Sequence, residues 1–144
     1  MARAVKRLYI DASCIIYLTE GTSAFTSPMR ARIVEHLSAS ASCLVTSLLS
    51  RLECRVQPLR EQDAAALSAY DDFFGGERLD VIDIDAAVIE RATELRARYG
   101  FKTPDALHLA TAIVQNADTA LTGDANWQRC SEIAVEVIKP ATSD

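Results

Sequence analysis

The feature of this sequence that most constrains its fold is the regular alternation of short β-type segments with longer helical segments. Five segments have the apolar, β-favouring composition of buried strands, at residues 7–11, 43–46, 79–84, 119–122 and 134–138. Between them, apolar residues recur at helical spacing over residues 12–18, 28–38, 47–56, 61–74, 86–99 and 103–115. Strands that alternate with helices pair in parallel under helices on both faces. The sequence therefore predicts an α/β fold with a mostly parallel five-stranded sheet.

The chain has the length and composition of one folded domain. It has 144 residues, of which 49% are hydrophobic, and it contains no linker, internal repeat or low-complexity segment. No apolar stretch reaches the roughly 18–20 residues that a membrane helix needs, and the basic N-terminus lacks the apolar core of a signal peptide. We therefore expect a single domain over residues 1–144 that acts in the cytoplasm. The four cysteines lack C-x-x-C spacing and predict buried, reduced thiols.

The net charge narrows the possible partners. The chain carries 20 acidic and 15 basic residues, for a net charge of −5. Proteins that coat duplex nucleic acid by neutralising phosphates are usually basic, so this balance argues against a simple DNA-coating protein. It leaves open an enzyme that acts on nucleic acid through a metal held by acidic residues.

Four acidic residues are predicted to share one edge of the sheet. Asp11 directly follows the first strand, and Asp124 follows the fourth. Glu53 lies on the helix that starts after the second strand, and Asp105 lies in the first turn of the helix that leads into the fourth. Ligands of such sheets bind at the carboxyl ends of the strands. We therefore expect these carboxylates to converge there.

Converging carboxylates predict a bound cation. Two unit charges about 4 Å apart repel by roughly 4 kcal/mol at an effective dielectric constant near 20. Four carboxylates in one cleft therefore need a cation, or some of them must take up protons. Oxygen ligands without a histidine or cysteine cluster favour Mg²⁺ or Mn²⁺ over zinc. Such ions activate a water molecule for attack on a phosphodiester, and no protein nucleophile is then required.

Each acidic residue also has an ordinary structural explanation. Asp105 in a first helical turn complements the helix dipole. Glu53 lies at capping-box spacing from Ser50 or on a solvated helix face, and Asp124 fits a turn or a helix cap. Asp11 is the least ordinary, since it follows the apolar run Leu8 to Ile10 with Ser13 two residues on. Asp11 therefore carries the strongest indication of function.

The same residues resemble the PIN domain family. The resemblance rests on Tyr9-Ile-Asp-Ala-Ser13, on Thr46-Ser47 followed by Glu53, on Thr103-Pro-Asp-Ala-Leu-His-Leu-Ala-Thr-Ala112 and on Leu121-Thr-Gly-Asp-Ala-Asn-Trp127. These pieces cover nearly the whole chain in the family's order. The last two are the most specific. Within PIN domains, the chain resembles the VapC-type toxin ribonucleases of toxin–antitoxin pairs.

The resemblance implies an endoribonuclease that depends on Mg²⁺ or Mn²⁺. It also implies a homodimer, and inhibition by a VapB-type antitoxin whose tail enters the cleft. Carried over residue by residue, it makes metal ligands of the four carboxylates Asp11, Glu53, Asp105 and Asp124. It assigns the hydroxyl of Ser13 to support Asp11 and that of Thr122 to support Asp124. Asn126 stands where some relatives have another acidic residue.

Several other side chains near these motifs have both a functional and a structural interpretation. His108 lies one turn after Asp105, and packing within the helix is the favoured interpretation over a ligand or base. Trp127 is expected to pack in the core rather than to stack on a base. Four basic residues either contact RNA phosphates or cover a solvated helix face. They are Arg51, Arg55, Arg60 and Lys102.

Two alternative functions remain open on the sequence. A Mg²⁺-binding phosphoacceptor domain would share Asp11, Thr122 and Lys139 at the ends of strands one, four and five. That function needs an acidic pair after strand one and an aspartate at the end of strand three, and it leaves Glu53 and Asp105 unexplained. A non-catalytic binding module with the same fold is the other alternative.

Overall fold

In the computed structural model, which describes residues 5–142, strands and helices alternate as the sequence predicts. The strands are β1 Lys6–Ile10, β2 Ser42–Ser47, β3 Leu79–Ile82, β4 Thr119–Thr122 and β5 Val135–Val137. The helices are α1 Ala12–Glu20, α2 Thr26–Leu37, α3 Leu48–Arg60, α4 Ala64–Phe74, α5 Ala86–Tyr99 and α6 Thr103–Val114. A short 3-10 helix, Ala125–Arg129, links β4 to β5.

The strands form one parallel sheet in the order β3-β2-β1-β4-β5. The chain moves outward from β1 through β2 to β3, and then returns to place β4 on the other side of β1. The direction of winding therefore reverses between β1 and β4. Such a switch point opens a crevice at the carboxyl ends of the two strands. The predicted fold class is confirmed, and Asp11 and Asp124 follow the two strands that flank the crevice.

Two apolar cores form because the strands are buried on both faces. On one face Tyr9, Val45 and Ala120 pack with residues of α5 and α6, including Leu95 and Leu109. On the other face the adjacent strand residues pack with residues of α1 to α4. This second core includes Leu8, Ile10, Ile15, Met29, Leu44, Cys54, Tyr70 and Leu121. The alternation of side chains along each strand thus joins both helical layers to the same sheet.

Several helix boundaries differ by a few residues from the sequence prediction, and two of these differences lie at prolines. We expected the helix that starts at residue 47 to end at Val56, before Pro58, but α3 continues to Arg60 and buries the Pro58 ring. A proline this near the C-terminus of a helix removes a single backbone hydrogen bond, and the Glu61 N–H still donates to the Gln57 carbonyl at 2.9 Å. Similarly, α2 starts at Thr26 rather than Pro28, so the proline lies within its first turn.

The four cysteines form no disulfide bond within residues 5–142. All four cysteines have free thiols; Cys14, Cys54 and Cys130 are buried, and Cys43 is partly buried. Within residues 5–142, no helix combines the length and the apolar character that crossing a bilayer requires.

The C-terminus of α5 provides a test of the backbone conformation. Gly100 ends this helix in the left-handed region, with φ of +72°. An added Cβ would meet no atom within 4 Å, so the cost of Gly100→Ala is conformational. We expect a loss of about 1 kcal/mol in the free energy of unfolding, measured by urea denaturation. Gly75→Ala at the end of α4, where φ is −89°, is the matched control and should change it by less than about 0.5 kcal/mol. Equal losses would contradict the assigned conformation.

Candidate active site

A cleft of about 330 Å³ lies at the switch point between β1 and β4. Its walls come from the end of β1, from α1, α3 and α6, and from the loop that follows β4. The lining residues are Asp11, Ala12, Ser13, Tyr17, Glu53, Asp105, His108, Gly123, Asp124 and Trp127. All four acidic residues singled out in the sequence are among them. The structure therefore brings together carboxylates from four separate segments of the chain.

Asp11 is the most tightly held of the four. It is the N-cap of α1, where its Oδ1 accepts a hydrogen bond from the Cys14 N–H at 3.1 Å. The Ser13 hydroxyl donates to the same oxygen at 2.6 Å, and the Thr122 hydroxyl donates to Oδ2 at 2.6 Å. Ser13 therefore contacts Asp11, as expected. Thr122 was expected to support Asp124, but its hydroxyl donates to Asp11, and its oxygen accepts from the Asp124 N–H at 3.1 Å. Thr122 is fully buried beneath the cleft and ties β4 to β1.

Glu53 is held by a chain of buried polar groups. It lies in the second turn of α3, and its Oε1 is 2.6 Å from the Nε2 of His108 on α6. The Nδ1 of the same imidazole is 2.6 Å from the hydroxyl of Tyr9 on β1. His108 is 3% exposed and Tyr9 is fully buried. His108 is therefore packed within the helix, as expected, and it also contacts a carboxylate of the cleft.

Asp105 and Asp124 line the same cleft and are each held by a neighbouring residue. The Trp127 indole N–H donates to Asp105 Oδ1 at 3.1 Å. Asp124 is the N-cap of the 3-10 helix and accepts from the Asn126 N–H at 2.9 Å. The Asn126 side chain is directed away from these carboxylates, because its Oδ1 accepts from Arg129 Nε at 2.7 Å. Asn126 therefore supports Asp124 through its backbone.

Burial, and after it the charges of the carboxylates, raises the pKa of three groups next to the cleft. Burial, with the charge of Asp11 added, raises the pKa of the Cys14 thiol well above 9. Burial and the charges of Glu53 and Asp11 raise the pKa of Cys54 to about 12. Burial also raises the pKa of the Tyr9 phenol well above 10. These groups stay protonated at neutral pH, so neither thiol is a nucleophile.

The donor set of the cleft fits a hard divalent cation in its chemistry. Four carboxylates supply oxygen ligands of the kind that Mg²⁺ and Mn²⁺ prefer. In the structure each carboxylate accepts a hydrogen bond from the protein. Over residues 5–142, no three acidic, histidine or cysteine side chains stand close enough to share one ion as they are placed. The protein thus gathers four carboxylates in one cleft without placing three of them around one point.

The basic residues considered as phosphate contacts are mostly engaged elsewhere. Arg51 and Arg55 pair with Asp71 of α4 at 3.1 and 3.5 Å. Arg60 is exposed at the end of α3, and Lys102 is exposed just before α6, three residues from Asp105. Of the four, Lys102 is therefore the one that lies within three residues of a cleft carboxylate and forms no ion pair within residues 5–142.

Trp127 is 1% exposed, so it packs in the core as expected and presents no free face for stacking on a base.

The order of the strands disfavours the phosphoacceptor alternative. A phosphoacceptor domain needs an acid from the third strand beside Asp11. Here β3 is an edge strand separated from β1 by β2, and Asp83 lines a different groove with α3. The geometry disfavours that alternative.

Two tyrosines in or beneath the cleft were given no role of their own from the sequence. Tyr9 was placed in a buried strand and in the motif that carries the PIN resemblance, yet its hydroxyl contacts His108, 99 residues away. Tyr17 lies one turn after Ser13 on α1 and lines the cleft. Its position on the same helical face as Ser13 was the one sequence signal available for it.

Comparisons with known proteins agree with this architecture. The family model described as "PIN domain" matches residues 8–133. No curated protein is similar enough to this chain to give a match.

Among solved structures, a chain of VapBC2 from Rickettsia felis, bound to a DNA fragment from their promoter, superposes with a TM-score of 0.74 and 19% identity. The match covers 92% of this chain and 99% of that one. Mycobacterium tuberculosis VapC20, a sarcin–ricin loop cleaving toxin, gives 0.71 and 18%, with the same coverage. VapBC-1 from nontypeable Haemophilus influenzae gives 0.69 and 18%, covering 91% and 97%. At these identities the likeness establishes the fold.

The hydroxyl that joins β4 to Asp11 can be tested by removing it alone. Thr122→Val keeps the shape of the side chain and deletes both the donor to Asp11 Oδ2 and the acceptor of the Asp124 N–H. Because hydrogen bonds to charged groups contribute about 1.5–3 kcal/mol, we expect the free energy of unfolding to fall by about 2 kcal/mol in urea denaturation. Thr111→Val on α6 removes an equally buried hydroxyl that donates only to the Leu107 carbonyl. The hydrogen-bond assignment would be contradicted if Thr122→Val cost no more than this control.

Proposed function

Because the chain belongs to the PIN domain family, we propose that it is a metal-dependent endoribonuclease that acts in the cytoplasm as the toxin of a VapBC-type pair. The observation that carries the proposal is the cleft itself, in which Asp11, Glu53, Asp105 and Asp124 meet at the switch point of the sheet. A packed core explains none of these carboxylates, and their mutual repulsion makes the arrangement costly unless a cation binds.

The four carboxylates are proposed to hold Mg²⁺ or Mn²⁺. When bound there, such a cation would polarise a phosphate oxygen and lower the pKa of a coordinated water. Ser13 and Thr122 hold both oxygens of Asp11 in place, so this ligand is oriented before the cation arrives. The Asn126 backbone does the same for Asp124. The protein's part is therefore to position ligands and to exclude competing orientations.

The residues around the cleft supply no nucleophile of their own. The thiols of Cys14 and Cys54 are protonated and buried, and the Ser13 hydroxyl donates to Asp11. Water is therefore the attacking group in the proposed hydrolysis. A phosphodiester would also be repelled by four carboxylates, so its approach depends on the cation.

RNA is the proposed substrate, and an antitoxin of the VapB type is the proposed inhibitor. The similar structure of VapC20 is that of a toxin which cleaves the sarcin–ricin loop, and the Rickettsia and Haemophilus structures are of VapBC assemblies. An acidic cleft accepts a cationic segment, so the antitoxin tail is proposed to enter it and oppose cation and RNA binding.

A second copy of the chain is the proposed occupant of an apolar groove along α3. Leu48, Leu52, Val56 and Leu59 are all exposed on this helix and line a groove of about 690 Å³. Arginines (Arg51 and Arg55) and one acidic residue, Asp83, also line it. A two-fold copy of the surface would place apolar residues on apolar residues, and the arginines of each copy near the aspartate of the other.

The nuclease proposal predicts loss of cleavage on changing one carboxylate. Asp11→Asn can still cap α1. Its amide accepts from only one of the two hydroxyls, but the repulsion among the carboxylates is also reduced, so we expect a folded variant, which urea denaturation checks. Its cleavage of RNA in Mn²⁺ or Mg²⁺ buffer should fall by at least about 100-fold, since a ligand charge is removed. Purified protein free of antitoxin is assayed on total RNA and on a sarcin–ricin loop oligonucleotide, with chelator as a parallel arm.

The control is Asp72→Asn, which changes an exposed acidic residue on α4 away from the cleft and should cleave like the wild type. Cleavage by Asp11→Asn at the wild-type rate, or wild-type cleavage that survives chelator, would contradict the proposal. Wild-type protein that is stabilised by Mn²⁺ without cleaving either RNA would favour the non-catalytic binding module.

The groove predicts a dimer that one substitution disrupts. Leu52→Glu places a charge in the middle of the apolar stripe, so we expect sedimentation velocity to show a monomer where the wild type is a dimer. Val34→Glu changes an equally exposed apolar residue on α2, outside the groove, and should remain dimeric. A monomeric wild type, or a Leu52→Glu variant that stays dimeric, would show that a second copy does not occupy the groove. If only an antitoxin occupies it, the wild type is a monomer.

A further inference from the structure

We propose that His108 and Tyr9 are positioning residues that fix the orientation of Glu53, so that the carboxylate meets a cation in the cleft. This inference rests on the proposed function. It concerns two residues that the nuclease proposal does not use, one assigned from sequence to helix packing and the other to the core.

The three groups form a continuous hydrogen-bonded chain from the sheet to the cleft. Tyr9 Oη lies 2.6 Å from His108 Nδ1, and His108 Nε2 lies 2.6 Å from Glu53 Oε1. Each residue comes from a different element, namely β1, α6 and α3. The tyrosine and histidine are buried, while the Glu53 side chain is 33% exposed. This series of hydrogen bonds therefore starts in the core and ends at the surface of the cleft.

The direction of the hydrogen bonds follows from the chemistry of the two ends. An ionised carboxylate only accepts hydrogen bonds, so the imidazole must carry a proton on Nε2 and donate it to Glu53. In the tautomer with its proton on Nε2, the imidazole has only a lone pair on Nδ1, so the Tyr9 O–H, whose oxygen lies 2.6 Å away, donates to Nδ1. Tyr9 thus selects the tautomer that presents a donor to Glu53.

The hydrogen bond from His108 orients Glu53 and leaves one of its two carboxylate oxygens available to a cation. Glu53 Oε1 is bound to the imidazole, and within the described part of the chain Oε2 has no hydrogen-bond donor. The side chain of a glutamate has three rotatable bonds, and a free one samples many directions. Tying one oxygen to a buried ring confines the other to the cleft. Partners of metal ligands at this distance commonly change metal affinity by roughly 10- to 100-fold when they are removed.

A purely structural role makes a different prediction. A buried histidine needs partners for both ring nitrogens, and Tyr9 and Glu53 satisfy that need whether or not a cation binds. If satisfaction of the core were the only role, substitutions would lower stability and leave cation affinity unchanged in the folded protein. Cation affinity is therefore the readout that separates the two roles.

The experiment is Mn²⁺ titration by calorimetry of folded protein, with thermal unfolding checked for each variant. Tyr9→Phe deletes only the hydroxyl that selects the tautomer, and we expect Mn²⁺ affinity to fall by roughly 3- to 10-fold. His108→Leu removes the donor to Glu53, and a loss of roughly 10- to 100-fold is expected. His108→Gln offers an amide N–H near the place of Nε2 and should recover most of that loss.

Tyr70→Phe provides the matched control. Tyr70 is as buried as Tyr9 but lies in the core on the other face of the sheet, so its Mn²⁺ affinity should equal that of the wild type. His108→Gln as weak as His108→Leu, or folded Tyr9→Phe and His108→Leu with wild-type affinity, would overturn the positioning role. Absence of Mn²⁺ binding by the wild type itself would overturn the proposed function, and this inference with it.

A second measurement does not involve the cation. In protein with ¹⁵N-labelled histidine, correlation spectra of the ring report which nitrogen carries the proton. We expect His108 to be protonated on Nε2 and not on Nδ1 in the wild type, and to lose this preference in Tyr9→Phe. A wild-type His108 ring protonated only on Nδ1 would overturn the proposed direction of the two hydrogen bonds.

Discussion

Carboxylates that share a cleft repel one another, and the structure around this cleft is built to hold them together. Each of the four acidic side chains accepts a hydrogen bond from a residue of the protein. Asp11 accepts from Ser13 and Thr122, and Glu53 contacts His108. Asp105 accepts from Trp127, and Asp124 accepts from the Asn126 backbone. These donors offset part of the repulsion and, in doing so, fix where each carboxylate lies.

The sheet explains why such distant residues meet. The central strand β1 carries Asp11 past its end, with Leu8 and Ile10 packed in one core and Tyr9 in the other. The reversal of winding beside β1 leaves the crevice in which the carboxylates lie. Substitutions in either core would therefore reach the cleft through β1. Two sets of polar contacts join the buried sheet and α6 to the carboxylates. Thr122 donates to Asp11, and Tyr9 contacts His108, which contacts Glu53.

Much of this architecture could be predicted from the sequence, because it depends on local patterns. Alternating strand and helix segments predict a parallel sheet, and the acids that follow Ile10 and Thr122 then fall at its carboxyl edge. The same topology placed Glu53 and Asp105 at this edge, and the PIN resemblance added their expected role as metal ligands. The pairing of Tyr9 with His108 could not be predicted, since no periodicity relates residues 99 apart in sequence. The predicted end of α3 before Pro58 was wrong, because a proline destabilises a helix less in the last turn than in the interior. The sequence pattern does not show that Pro58 lies in the last turn.

The central claim is that the four carboxylates bind one or more divalent cations in this cleft. The most direct test is a crystal structure of the protein grown with Mn²⁺, with diffraction recorded above and below the manganese absorption edge. The account predicts an anomalous difference peak bounded by the carboxylates of Asp11, Glu53, Asp105 and Asp124, with these side chains drawn towards it. A cleft without a peak in crystals soaked at saturating Mn²⁺, or manganese held only elsewhere on the surface, would contradict it.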